Sequence, residues 1–119
     1  MTKFHSRKTT IDGIHFASKL EAERYIQLKM MLKTDPPMIS DLKLQPEFQI
    51  FRGYVDPETG QKVKSRYYVA DFQYVDNVEH KVIVEDTKGV ETDVFRLKWD
   101  FVRSEYPQFE FRKLKRNDL

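Results

Sequence analysis

The spacing of apolar residues changes period twice along this chain, and proline or glycine marks each change. From Lys19 to Lys33 there is neither glycine nor proline, and Tyr25, Leu28 and Leu32 recur at three and four residues, the spacing of one helix face. Asp35-Pro36-Pro37 ends that helix. The period then falls to two. Leu44 to Phe51 alternates around Pro46 and reads as an edge strand, Ser65 to Val75 as a long aromatic strand, and Lys81 to Lys88 as a strand centred on Val82, Ile83 and Val84. Turns are expected at Asp56–Gly60 and Asp76-Asn77. Beyond Gly89 the helical period returns in Phe95, Trp99 and Val102, Pro107 stops it, and Gln108 to Arg112 alternates as a last short strand. Helix, three strands, helix, strand is a mixed α/β domain. Asp12-Gly13, between Thr9–Ile11 and Ile14–Phe16, predicts a hairpin ahead of it. Ser18 caps the first helix in a Ser18-x-x-Glu21 capping box, and Thr92 or Asp93 caps the second.

With 119 residues there is room for one domain over residues 1–119, with basic ends at about 1–8 and 113–119 expected to be mobile. Cysteine is absent, which removes disulfides, thiolate metal sites and cysteine nucleophiles, and His5, His15 and His80 lack the spacing of a zinc site. No apolar run is long enough to span a bilayer and no signal peptide is visible, so a soluble, intracellular (cytoplasmic) protein is expected. The near-neutral total hides a pattern. Residues 1–34 carry seven basic and three acidic side chains, residues 35–95 seven and twelve, and residues 96–119 seven and four. An acidic centre between basic ends is either ordinary surface variation or a cation site flanked by surfaces for a polyanion.

Three charged residues stand where strands do not ask for them. Asp71 interrupts the aromatic strand, and Asp86 and Lys88 end the apolar one. Strand alternation puts Asp86 and Lys88 on one face with Val82 and Val84, and Glu85 on the other. Glu21 lies four residues before Tyr25, on the apolar face of the first helix. Hard cations such as Mg2+ take carboxylate and carbonyl oxygens. Asp71 and Asp86 on adjacent strands, with Glu21 and the Thr87 backbone carbonyl, would supply them, and Lys88 would stand beside a metal-activated water or a charged transition state. Simpler roles are also open. Glu21 closes a capping box, Asp71 ends or bulges a strand, and Asp86 and Lys88 form an exposed ion pair worth less than about 1 kcal/mol.

The segments Asp12-Gly13, Phe16-x-Ser18-Lys19-Leu20-Glu21-Ala22-Glu23, Leu44-Gln45-Pro46, Tyr68-Val69-Ala70-Asp71-Phe72, Glu85-Asp86-Thr87-Lys88-Gly89 and Thr92 to Lys98 span nearly the whole chain. In this order they resemble the PD-(D/E)XK nuclease superfamily. More closely, they resemble a small phage and prophage family of unknown function near Holliday junction resolvases and transposon end-cleaving nucleases. The resemblance implies a restriction-endonuclease-like αβββαβ core. It implies Mg2+ or Mn2+ held by Glu21, Asp71 and Asp86, Lys88 as catalytic lysine, Lys98 near the scissile phosphate and Gln45 beside the site. It also implies DNA, branched DNA above all, as partner, with a C2 homodimer for symmetric cutting, in a phage-encoded protein acting inside a bacterial host. Ala70 stands where the superfamily's name has proline.

Basic side chains for phosphate contacts are Lys3, Arg7, Lys8 and Lys19 at the start, Arg96, Lys98 and Arg103 on the second helix, and Arg112, Lys113, Lys115 and Arg116 in the tail. Tyr67, Tyr68, Phe72 and Tyr74 are expected in the core rather than against bases. The rival to a metal-dependent endodeoxyribonuclease is a non-catalytic DNA-binding or accessory protein with a nuclease-like fold. The acidic cluster discriminates, because carboxylates beside phosphates repel them unless a cation intervenes.

Overall fold

A computed structural model describes residues 9–119, so Lys3, Arg7, Lys8 and the expected mobile start lie outside the described residues. Strands β1 (Thr9–Ile11) and β2 (Ile14–Phe16) form the expected hairpin, with Asp12 and Gly13 at φ +55° and +76°. Helix α1 spans Lys19–Leu32, and the Ser18 hydroxyl accepts the Glu21 N–H at 3.1 Å. Helix α2 spans Asp93–Glu105, and Thr92 rather than Asp93 caps it through the Phe95 N–H at 3.1 Å. Phe95, Trp99 and Val102 are its buried face, as their spacing predicts.

The strand region is divided more finely than alternation suggests. It contains β3 (Ile39–Leu44), β4 (Glu47–Phe51), β5 (Tyr54–Val55), β6 (Lys62–Val63), β7 (Arg66–Val69), β8 (Phe72–Asp76) and β9 (Lys81–Thr87). After α2 comes β10 (Glu110–Leu114). One sheet has the order β10-β9-β8-β3, with β10 parallel to β9 and the other pairs antiparallel. β4 pairs with β7 and β5 with β6 in separate antiparallel ladders.

The expected strand from Ser65 to Val75 is therefore broken into β7 and β8. The expected strand from Leu44 to Phe51 shortens to β4, with Leu44 ending a strand, β3, that the alternation did not announce. The two breaks face each other. Gln45 sits at φ +51° and Pro46 has no N–H, so the ladder cannot run through them. Across the break the Gln45 N–H donates to the Asp71 carbonyl (2.9 Å), and the Ala70 N–H donates to the Pro46 carbonyl (3.1 Å). An unbroken strand would point Tyr68, Ala70, Phe72 and Tyr74 the same way. Instead Tyr68 and Ala70 pack with Phe95, Trp99 and Val102 under α2, while Phe72 and Tyr74 pack with Tyr25 and Leu28 under α1. The chain changes sides of the core at Asp71. β9 serves both cores by ordinary alternation, with Ile83 toward α1 and Val84 toward α2.

The last strand runs past Arg112 to take in Lys113 and Leu114, and a 3-10 turn covers Arg116–Asp118. The tail expected to be a mobile end is tied back to α1. Arg116 pairs with Glu23 at 2.8 Å, and Gln27 donates to the Leu119 carbonyl at 3.3 Å. Among the described residues no helix is long and apolar enough to cross a membrane.

Candidate active site

The break at Asp71 and the end of β9 meet, because the Asp71 N–H donates to the Glu85 carbonyl at 3.0 Å. That single bond brings Asp71 beside Asp86 and Thr87. The Thr87 N–H and its hydroxyl both donate to Asp71 Oδ2, each at 2.7 Å. The Tyr68 hydroxyl donates to Asp86 Oδ2 at 2.5 Å. Each carboxylate is thus anchored through Oδ2. The Oδ1 of Asp86 faces Lys88 Nζ at 3.7 Å, and the same ammonium lies 4.5 Å from the centre of the Phe95 ring. Thr87 enters through its N–H and hydroxyl, a role that sequence reasoning, looking to its carbonyl, missed.

Glu21 approaches from the first turn of α1. Its side chain is buried rather than turned outward to finish the capping box, with the residue only 6% exposed. Burial raises its pKa to about 7, with the Asp71 charge as the second cause, while the Ala17 backbone and the Lys88 ammonium pull it down. Asp86, 2% exposed, is likewise pushed up to about 7, first by burial and then by Asp71. Asp71 is the common neighbour of both acids, and Lys88 acts electrostatically on both. Three carboxyl groups and one ammonium from distant parts of the chain therefore share one region. Among the described residues no group of three His, Cys, Asp or Glu side chains is arranged to hold a metal ion, these three carboxyls included. The hydrogen bonds from Thr87 and Tyr68 engage Oδ2 of each aspartate, and Oδ1 of Asp86 faces Lys88.

The neighbouring acid, Glu85, belongs elsewhere. It is fully buried on the α1 side, where Arg24 grips it through Nε (2.8 Å) and Nη2 (2.6 Å) and Tyr74 donates its hydroxyl. Strand alternation separates the two acids as expected. Neither Arg24 as its partner nor Tyr68 as the anchor of Asp86 is visible in the sequence. Burial and the adjacent carboxylates hold both tyrosines well above the usual phenol range, so both remain donors at any physiological pH. Of the aromatic series, Tyr68, Phe72 and Tyr74 are core as expected. Tyr67 is exposed and its hydroxyl meets Gln49.

Gln45 shares a cavity of about 260 Å³ with Glu21, His15 and Phe16, so it does border the acidic group. The basic candidates divide. Lys19, Lys88, Lys115 and Arg116 line one open cleft of about 750 Å³. Arg96 is instead engaged by Asp93 (3.1 Å) and Glu91 (3.9 Å), Lys113 by Glu91 (3.1 Å), and Arg112 by Glu110 (2.5 Å). Arg103 lies 5.8 Å from the centre of the Trp99 ring. Lys98, expected near the reacting phosphate, lines an apolar groove with Phe51, Leu97 and Phe101 and is not among the side chains that meet the carboxylates. Its position on α2 explains this, since the face that turns to the core carries Phe95, Trp99 and Val102.

The sequence profile of a family described as a protein of unknown function (DUF1064) matches residues 1–117. No curated protein matches the chain. No solved structure matches it either.

Proposed function

The chain belongs to the DUF1064 family, which carries no assigned activity, and from the site itself we propose that it is a Mg2+- or Mn2+-dependent endodeoxyribonuclease with a restriction-endonuclease-like core. The observation that carries this reading is the set of buried carboxyl groups around Lys88. Glu21 and Asp86 are both held near neutrality by burial and by Asp71, an arrangement that asks for a proton or a cation. Structural acids in a DNA-binding surface have no reason to be so placed. The order α1, strands, α2, β10, with β10 parallel to β9, is compatible with the αβββαβ core.

Glu21, Asp71, Asp86 and the Thr87 carbonyl would hold the ion, an all-oxygen set suited to a hard divalent cation. When bound, such an ion supplies Lewis-acid polarisation of a phosphate oxygen and a water of lowered pKa. The chain's own groups do the rest. Thr87 and Tyr68 fix the two aspartates through one oxygen each, and such outer contacts orient ligands and strengthen binding. Lys88, whose ammonium lies 3.7 Å from Asp86 Oδ1, would orient the attacking water and meet negative charge building on the phosphorus oxygens. No side chain here is needed as a covalent nucleophile. Branched DNA such as a four-way junction is the proposed substrate, cut by a homodimer, in phage DNA recombination or replication inside a bacterial host.

The test is cleavage of labelled junctions, flaps, duplex and single strands in Mg2+, Mn2+ or EDTA. Metal-dependent cutting that Lys88→Ala lowers by about 10²-fold or more, with junction binding kept, is the expected result. Tight binding with no cutting in either metal identifies the non-catalytic DNA-binding protein instead.

Protons and metal compete for the same oxygens. Because Glu21 and Asp86 titrate at about 7, Mn2+ affinity should rise with pH from 6 to 8 and flatten above it. Titration calorimetry at three pH values in buffers of different ionisation heat should show protons released at pH 6 and few at pH 8. A pH-independent affinity would show that these carboxyls do not hold the ion.

A further inference from the structure

Lys88 faces two ways. On one side is Asp86, and on the other the 750 Å³ cleft that also takes Lys19 from α1 and Lys115 and Arg116 from the C-terminal segment. Three separate elements thus bring four cations to one concavity of ligand size. Among the described residues Lys19 and Lys115 form no ion pair, and the undescribed residues 1–8 include no acid that could supply one. Among the described residues the Arg116 guanidinium pairs with Glu23 alone, and both side chains are solvent-exposed. Of the other basic candidates among the described residues, Arg96 and Lys113 pair with Glu91 and Arg112 with Glu110, while Lys98 lines an apolar groove and Arg103 lies by Trp99, both away from this cleft. Four cations converging where few acids answer them repel one another unless an anion enters. Lys88 and Thr87 line the cleft and also belong to the acidic site, so an anion there lies beside whatever reacts at that site.

We infer that this cleft is a backbone subsite, in which Lys19, Lys115 and Arg116 bind the phosphates of the DNA strand adjoining the one held at Lys88. This deepens the nuclease reading and rests on it for the identity of the polyanion. It also divides the basic surface: the cleft residues carry the phosphate contacts, and Arg96, Arg112 and Lys113 serve the fold. Recognition in the cleft is mainly by charge and backbone, since its charged side chains are all cations and Asn117 is its one amide of the kind that reads base edges. Glu23 competes with DNA for Arg116.

The experiment is fluorescence anisotropy of a labelled four-way junction and a labelled single strand, in EDTA, across a salt series. Wild type is compared with Lys19→Ala, Lys115→Ala, Arg116→Ala, Glu23→Gln and, as a control at the far end of α1, Lys33→Ala. Each phosphate contact contributes about 0.7–0.9 to the slope of log K against log salt. Each cleft substitution should therefore weaken binding and flatten the slope by nearly one, and Lys33→Ala should leave both unchanged. Glu23→Gln should tighten binding by about two- to fivefold, the release of an exposed ion pair. Circular dichroism melts confirm that each variant is folded. Unchanged slopes in the three cleft variants overturn the inference, even if the protein cuts DNA. Because no metal is present, the subsite stands or falls separately from catalysis: flattened slopes in a protein that never cuts would keep the cleft and remove the nuclease.

Discussion

Arg24→Ala should lower the unfolding free energy by about 3–5 kcal/mol, the usual effect of stripping the partner from a buried ion pair. Glu85 is fully buried, and the Arg24 fork supplies its counter-charge through two bonds. Tyr74 would still donate to it, but a neutral hydroxyl does not balance a carboxylate. The charge would have to be buried alone or take up a proton. Urea denaturation at pH 8 should show a midpoint shift without a change in slope. Adding Glu85→Gln to Arg24→Ala should recover part of the loss, because the remaining side chain is then neutral and still accepts from Tyr74. A loss under about 1 kcal/mol would mean that the pair is worth no more than an exposed one. The consequence extends to the site. Glu85 holds the Asp71 N–H through its carbonyl, so loosening β9 here also loosens the acid that both other carboxyls share.

Asp86→Asn should do two opposite things. Cleavage should fall by about 10²–10³-fold, the scale set by removing one group aimed at transition-state charge, because an amide oxygen binds a divalent cation far less well than a carboxylate. Thermal stability should rise, and only in one pH range. The folded pKa of Asp86, about 7, lies above the value near 4 of an exposed aspartate. The folded state therefore holds the proton more tightly than the unfolded chain does. That contribution is complete below about pH 4, and it is lost as pH rises through 7. Above that, the native protein carries a buried charge that asparagine does not have. The gain should be on the order of 1–3 kcal/mol at pH 8 and absent at pH 4. Asparagine still accepts the Tyr68 hydroxyl, so the anchor survives. Saturating Mn2+ should reverse the order, stabilising wild type by about 2.7 kcal/mol at a hundred times its Kd and the variant hardly at all. Melting curves at pH 4, 6 and 8 with and without Mn2+ measure all of this. A variant less stable than wild type at pH 8 in EDTA would show that Asp86 is a structural acid after all.

Much of this site was legible one residue at a time. The caps Ser18 and Thr92, the Asp12-Gly13 turn and the buried stripe Phe95-Trp99-Val102 are local matters, settled by backbone geometry and by spacings within a few residues. The opposition of Glu85 and Asp86 also follows from alternation alone. The breaks at Gln45-Pro46 and Ala70-Asp71 were less visible. Pro46 announces that a ladder stops, but alternation continues undisturbed through Tyr68, Ala70, Phe72 and Tyr74. Only the two cores, one under each helix, reveal that the chain changes sides between them.

The amino-acid order by itself determined the hairpin, both helices and the strand segments of β4 and β7 to β10, though not β3, β5 or β6, and which acids stand out of place in them, because those properties depend on neighbours within one or two turns. Only the tertiary structure decided that Tyr68 and Thr87 anchor the two aspartates, that Arg24 claims Glu85, and that Lys19, Lys115 and Arg116 share a cleft with Lys88 while Lys98 does not. These pairings join residues far apart in the chain. They are set by the packing of β9 between its neighbouring strands and the two helices, and nothing in the local sequence encodes the distance between such groups.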